Sequence, residues 1–221
     1  MGEGSQMLRM EAINGKNVWD ILKLRTKDVQ KDFVASNEES LIEAYTTIVG
    51  GGHAFTFGLY DADMAVGFMM LGFGTEGSAD GLPDIAEGNY NLWRLMIDRQ
   101  HQGKGYGTEA VRLALDFIRT YPCGSAEYCW LSYEPENDVA RKLYNSFGFR
   151  ETGEMDEGEV VAALRLRRLL QSLARCAEAR HVPCARSATV REALQYVRHT
   201  LYGRSRERTF PSDKLVCAGV R

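Results

Sequence analysis

Six residues, Gln102-Gly103-Lys104-Gly105-Tyr106-Gly107, have the composition and spacing of an anion cradle. They follow an apolar run, 92–97, and precede a helical pattern that starts near Thr108. Glycines let the main chain approach a charged group closely. The first helical turn then presents N–H groups with no partner inside the helix, at the positive end of its dipole. Thirty residues beyond Gly107, Asn137 opens a second helical pattern, and an asparagine there is a natural helix cap. Tyr144 follows after seven residues, about two turns, so both face one side.

Spacing narrows the ligand. The nucleotide-hydrolase string Gly-x-x-x-x-Gly-Lys-Ser/Thr does not occur. A dinucleotide fingerprint needs Gly-x-Gly-x-x-Gly and an acidic residue at the end of the second strand. Here the register is Gly-x-Gly-x-Gly, and Glu127 falls at the start of the next strand-like run, which disfavours that reading. The register does fit Gln/Arg-x-x-Gly-x-Gly/Ala through Gln102, Gly105 and Gly107. A later stretch reads Asn137, Ala140, Leu143, Tyr144, Gly148, Phe149 in the pattern Asn-x-x-Ala-x-x-Leu-Tyr-x-x-x-Gly-Phe. Together these resemble the GNAT superfamily of acetyl-coenzyme A-dependent N-acetyltransferases, over roughly residues 8–165. Within it, the phrases at 30–37, 93–98 and 131–137 are most similar to bacterial spermidine/spermine (diamine) N-acetyltransferases.

The resemblance implies an α/β (α+β) fold. Its central sheet is mixed, mostly antiparallel and splayed between strands 4 and 5, with helices on both faces. It implies acetyl-coenzyme A as cosubstrate, no metal, and direct attack of an amine in a ternary complex. Gln102, Gly103, Lys104, Gly105, Tyr106, Gly107 and Thr108 would hold the pyrophosphate, with Lys104 equally readable as a solvated loop lysine. The backbones of Leu95 and Ile97 would bind the pantetheine arm, and Asn137 would touch it while capping its helix. Tyr144 would protonate the departing thiolate; a phenol near pKa ~10 suits a thiol better than a carboxylic acid does. Its plain alternative is packing against Leu143 and Phe147. The strand glutamate that some relatives use as base is missing from 89–93. Glu134 is the candidate that remains, with Glu136 beside it; both also read as helix-start charges favoured by the dipole. Glu38, Glu39 and Glu43 could bind distal amines or form a solvated face. A polyamine is the first choice of acceptor. Aminoglycosides, protein amines and a non-catalytic acetyl-coenzyme A sensor are the alternatives.

Composition is compatible. Residues 1–166 carry 15 Lys and Arg against 26 Asp and Glu, net −11, and 167–221 carry 12 against 4, net +8. An acidic body attracts cationic small molecules and disfavours nucleic acid. Five cysteines at irregular spacing suit a reducing compartment rather than a disulfide framework. No leader pattern or long apolar run is present, so a cytoplasmic protein without a membrane span is expected, and a homodimer is an open option.

Hydrophobic periodicity and turn residues supply the elements. Strands are expected at 8–13, 54–59, 64–73, 90–98, 126–133, 149–155 and 159–166, and helices at 18–24, 40–49, 105–121 and 137–147. Ser40 is taken as the cap of the second helix, and 75–87 as a loop on the acceptor side. The chain divides into a catalytic domain, 1–166, and an Arg-rich C-terminal extension, 167–221, helical or disordered. A capping box at Thr189 and Glu192 favours a helix there. Cys176, His181, Cys184 and His199 fit no standard metal-ligand spacing.

Overall fold

The computed structural model describes residues 8–74 and 81–166. The extension, with its expected capping box and its Cys and His residues, lies outside them, as do residues 75–80 of the 75–87 loop. Seven strands form one sheet: β1 (Arg9–Ala12), β2 (His53–Asp61), β3 (Met64–Phe73), β4 (Tyr90–Ile97), β5 (Tyr128–Tyr133), β6 (Arg150–Asp156) and β7 (Glu159–Arg165). Their spatial order is β1-β2-β3-β4-β5-β7-β6, antiparallel throughout except for β4 and β5. Among the described residues, four α-helices pack on the sheet: α1 (Val18–Ile21), α2 (Asn37–Val49), α3 (Tyr106–Ile118) and α4 (Asp138–Phe147). The expected mixed, splayed sheet with helices on both faces is what the chain adopts.

The α3 side of the sheet holds the larger core. Ala110, Val111, Ala114, Leu115, Phe117 and Ile118 recur at helical spacing and are all buried, against Leu71, Leu92 and Leu131 among others. On the opposite face Ile21, Ala44, Phe68, Met70 and Met96 close a second cluster beneath α1 and α2.

Helix α2 starts earlier than expected. Ser36 is its cap, not Ser40. The Ser36 hydroxyl accepts from the Glu39 N–H at 3.1 Å, and the Glu39 carboxylate accepts from the Ser36 N–H at 2.9 Å, a reciprocal capping box. Ser40 is inside the helix, buried, and its hydroxyl donates to the Ser36 carbonyl.

Two features of β4 govern the site. The first is a bulge: Met70 pairs with Arg94 and Leu71 with Leu92, which leaves Trp93 as the extra residue. Bulges re-aim side chains locally. The second is a tied base. Asn89 Oδ1 accepts from the N–H groups of Glu127 (3.2 Å) and Tyr128 (2.8 Å), while its amide donates to the carbonyls of Ile85 and Glu87. The buried Tyr90 phenol donates to Gly124 O and accepts from Cys123 N–H, both at 2.9 Å. Strands β4 and β5 therefore pair at Tyr90–Cys129 and Asn91–Trp130 and separate beyond that point.

Candidate active site

Where β4 and β5 part, a cleft of about 470 Å³ opens. Its walls are β4 from Leu92 to Ile97, the turn before α3, the start of α4, and the segment between α1 and α2. Leu95, Ile97, Gln102, Gly103, Gly105, Tyr106, Gly107, Thr108, Asn137 and Tyr144 all line it. The structure thus gathers into one cavity residues that lie up to 49 positions apart. Lys104 is exposed and outside the lining, in keeping with a solvated loop lysine.

The turn has the backbone an anion site needs. Gly103 and Gly105 adopt φ of +80° and +84°, the left-handed region that side chains resist, and Gly105 is the residue from which α3 starts. The Gln102 side chain fixes the turn. Its amide donates to the Ile97 carbonyl at 3.0 Å and to Gln30 Oε1 at 2.8 Å. Tyr106 donates its hydroxyl to the buried Asp61, so the first turn of α3 is tied to the end of β2. Tyr106, Gly107 and Thr108 of the first turn line the cleft, where a helix start carries N–H groups without helical partners and the positive end of the dipole. The chemistry of this donor set fits a pyrophosphate.

Asn137 caps α4, its Oδ1 accepting from the Ala140 N–H at 3.1 Å. Tyr144, two turns on, is buried between Tyr133 and Phe149, with ring centroids 6.0 and 5.9 Å away. Burial, with the negative charge of Glu159 next, pushes its phenol well above the ordinary range and keeps it protonated. Packing and an acid role are compatible at this position.

A second cavity of about 330 Å³ lies beyond the gap. Glu43, Asp156, Glu157 and Glu159 line it, with Arg94 as a basic group, together with His53, Trp130, Gly81 and Leu82. The described end of the 75–87 loop therefore does border this space. Arg94 pairs with Glu43 at 3.1 Å and lies over the Trp93 ring at 5.7 Å. Asp156 and Glu159 are both shifted upward by burial first. Trp93, Arg94 and Ser132 belong to both cavities and mark their junction. The Ser132 hydroxyl donates to Glu159 Oε2 at 2.5 Å.

Some expected residues are engaged elsewhere. Glu39 serves the capping box, which holds its carboxyl below the usual range. Glu38 pairs with Arg25 at 3.2 Å. Glu43 does reach the second cavity. Glu134 is half-buried just past β5 and lines neither cavity, and Glu136 is exposed. Sequence reasoning missed Gln30, Arg94, Ser132 and Glu159. Gln30 opens one of the family-like phrases. Arg94 and Ser132 lie inside the other two phrases but were given no role, and Glu159 carries no local motif; β4–β5 separation and β5–β7 pairing bring the three together. Among the described residues, no helix is long and apolar enough to cross a membrane, and no group of three or more metal-ligating side chains is placed to hold an ion.

A glycine turn at a helix start, a parted sheet and a protonated phenol line one cleft, an arrangement suited to an acyl-carrier-dependent transferase. Residues 19–149 match the acetyltransferase (GNAT) family, and the chain belongs to it. It is an acetyl-coenzyme A-dependent amine N-acetyltransferase. The spermine/spermidine N(1)-acetyltransferase of Bacillus subtilis (strain 168) is 30% identical over 166 residues, which span 72% of this chain and 99% of that protein. A probable spermine N(1)-acetyltransferase of Bacillus subtilis subsp. natto matches to the same extent. Among solved structures, the aminoglycoside acetyltransferase AAC(6')-Ib with coenzyme A superposes with a TM-score of 0.60 at 14% identity, covering 75% of this chain and 99% of that one. Spermidine N-acetyltransferase from Vibrio cholerae, with coenzyme A and spermine, gives 0.53 at 20% identity over 72% and 95%. These two likenesses concern the fold.

Proposed function

We propose that the protein acetylates a primary amine of a polyamine such as spermidine or spermine, by direct attack while both substrates are bound. The observation that carries this reading is the junction of the two cavities at Trp93, Arg94 and Ser132. A carrier held by the 102–108 turn has a path along β4 to that junction, and an acceptor enters from the other side. The acceptor side has four carboxylates against one arginine in its lining, which favours a flexible polycation over an anionic or neutral amine. The curated relatives at 30% identity are named for spermine and spermidine, in agreement with that chemistry.

The roles follow from position. The Gly103–Thr108 backbone binds phosphate, Gln102 orients the turn, and Leu95 and Ile97 offer backbone groups to the pantetheine arm. Asn137 lines the arm's path, and Tyr144 supplies the thiolate's proton. Glu134 is the sequence-derived candidate for removing the amine's proton. Residues 1–166 form the catalytic unit, so a protein ending at 166 retains acetylation. The deciding experiment is free-thiol release from acetyl-coenzyme A across polyamines, aminoglycosides and peptides. Spermidine or spermine should give the highest kcat/KM; turnover confined to another acceptor class would overturn the polyamine reading.

A further inference from the structure

A polyamine presents ammonium groups with pKa near 10, so one must lose a proton before its nitrogen can attack. The strand glutamate used by some relatives is missing here, and Glu134 lies outside both cavities. A base must stand where the two substrates meet. Of the three residues at that junction, Trp93 has no basic group. Arg94 is a permanent cation whose Nη atoms are taken by Glu43 and the Trp93 carbonyl. Ser132 is the remaining one, and its hydroxyl is hydrogen-bonded to the Glu159 carboxylate. The register explains the contact: Ser132 pairs with Val161, and Glu159, two residues away, presents its side chain on the same face. Glu159 is half-buried and lines the acceptor cavity itself.

We infer that Glu159, working directly or through the Ser132 hydroxyl, is the base that deprotonates the acceptor amine. This deepens the amine-acetylation reading and rests on it. The ammonium gives one proton to the Glu159 carboxylate; in the relayed form Ser132 passes its own hydroxyl proton on and receives the ammonium's. The freed lone pair forms the C–N bond to the thioester carbonyl carbon. The C–S bond then breaks, and its electron pair leaves on sulfur. Tyr144 protonates that thiolate, and the phenolate recovers a proton from the acetylated nitrogen. Glu159 finally releases its proton to solvent, so one ammonium and one thioester become one amide, one thiol and one proton.

The surroundings make Glu159 more basic than an ordinary glutamate. Burial raises the Glu159 carboxyl, with Asp156 of β6 and Glu134 past β5 adding to the rise. The Ser132 hydrogen bond and Arg94 of β4 oppose it. Glu43 of α2, His53 of β2 and Glu157 line the same cavity, and Tyr144 of α4 feels the Glu159 charge from the coenzyme side. A base is competent when ionised, so the rate should rise with pH through the pKa of Glu159.

The test is Glu159→Gln, with Ser132→Ala and Glu134→Gln beside it, assayed by thiol release with spermidine across pH. Glu159→Gln should lower kcat about a hundredfold, the usual scale of general-base loss, and abolish the acidic limb of the profile. Its coenzyme A affinity by calorimetry should match wild type. The deficit should shrink with trifluoroethylamine, a weakly basic acceptor already neutral at assay pH. A readout apart from activity is carboxyl 13C NMR of glutamate-labelled protein. The resonance lost in Glu159→Gln should titrate above the ordinary glutamate range, and higher still in Ser132→Ala. Unchanged kcat and acidic limb in Glu159→Gln, or loss of that limb in Glu134→Gln instead, would overturn the inference while leaving amine acetylation standing. A wild-type protein that releases no thiol with any amine would bring down the parent reading, and this inference with it.

Discussion

Tyr144 sits where burial opposes ionisation. Its phenol is enclosed by Tyr133 and Phe149 and stays protonated far into the alkaline range. A phenol that is fully protonated before the reaction would suit thiolate release, its phenolate then taking a proton back from the acetylated nitrogen. Tyr144→Phe keeps the ring and its packing and removes the proton. Turnover should fall by about a hundredfold or more, the scale of general-acid catalysis, while coenzyme A affinity by calorimetry stays within twofold; unchanged turnover would refute the role. Tyr144 is legible in the sequence because its partners, Asn137 and Gly148, lie on the same helix or at its end. Ser132 and Glu159 are not. They are 27 residues apart and meet through a strand pairing that no local pattern encodes.

At the scale of elements, the strength of the hydrophobic pattern decided what could be read. Helix α3 declares itself through six buried positions at helical spacing and a glycine turn before it. The start of α2 did not, because Ser36 and Ser40 are both plausible caps. The sequence pattern did not decide between them: each serine is followed three residues later by a glutamate, and only the fold shows Glu39 closing a capping box on Ser36 while Glu43 pairs with Arg94 instead. Ser36→Ala should cost about 1 kcal/mol and lower Tm by about 2–4 °C. Ser40→Ala should cost less, since the Ser36 carbonyl also accepts from the Ser40 N–H. Differential scanning calorimetry of both variants checks the order. The tie between β4 and β5 through Asn89 was likewise hidden, because an asparagine ahead of a strand reads only as a turn residue.

At the scale of the whole molecule, the core holds groups that resist ionisation. Burial raises Cys129 to about 12 and Tyr90 to about 12, and Tyr144 further. In the unfolded chain a cysteine ionises near pH 8.5 and a tyrosine near 10. Above those values the unfolded state binds fewer protons than the folded one, so stability falls as pH rises. Below about pH 8 none of the three contributes a slope. Urea midpoints should therefore decline from about pH 8.5 upward, more steeply beyond 10. Cys129→Ala should flatten the first part of that decline; a midpoint flat from pH 8 to 10.5 would contradict the assignment.

The seam that opens beyond Asn91 and Trp130 leaves each flanking strand with one ladder satisfied and the other unfilled. Along residues 94–97, past the bulge, alternate amides face β3 and should keep their deuterium-free signal for a long time. The intervening amides look across the breach and should exchange quickly in the empty protein. Seating the thioester carrier would slow that second set and spare the first, a two-residue rhythm readable by NMR along a single strand. On that outcome the enzyme would gain rigidity from its own cosubstrate, which would serve as the rung the polypeptide omits.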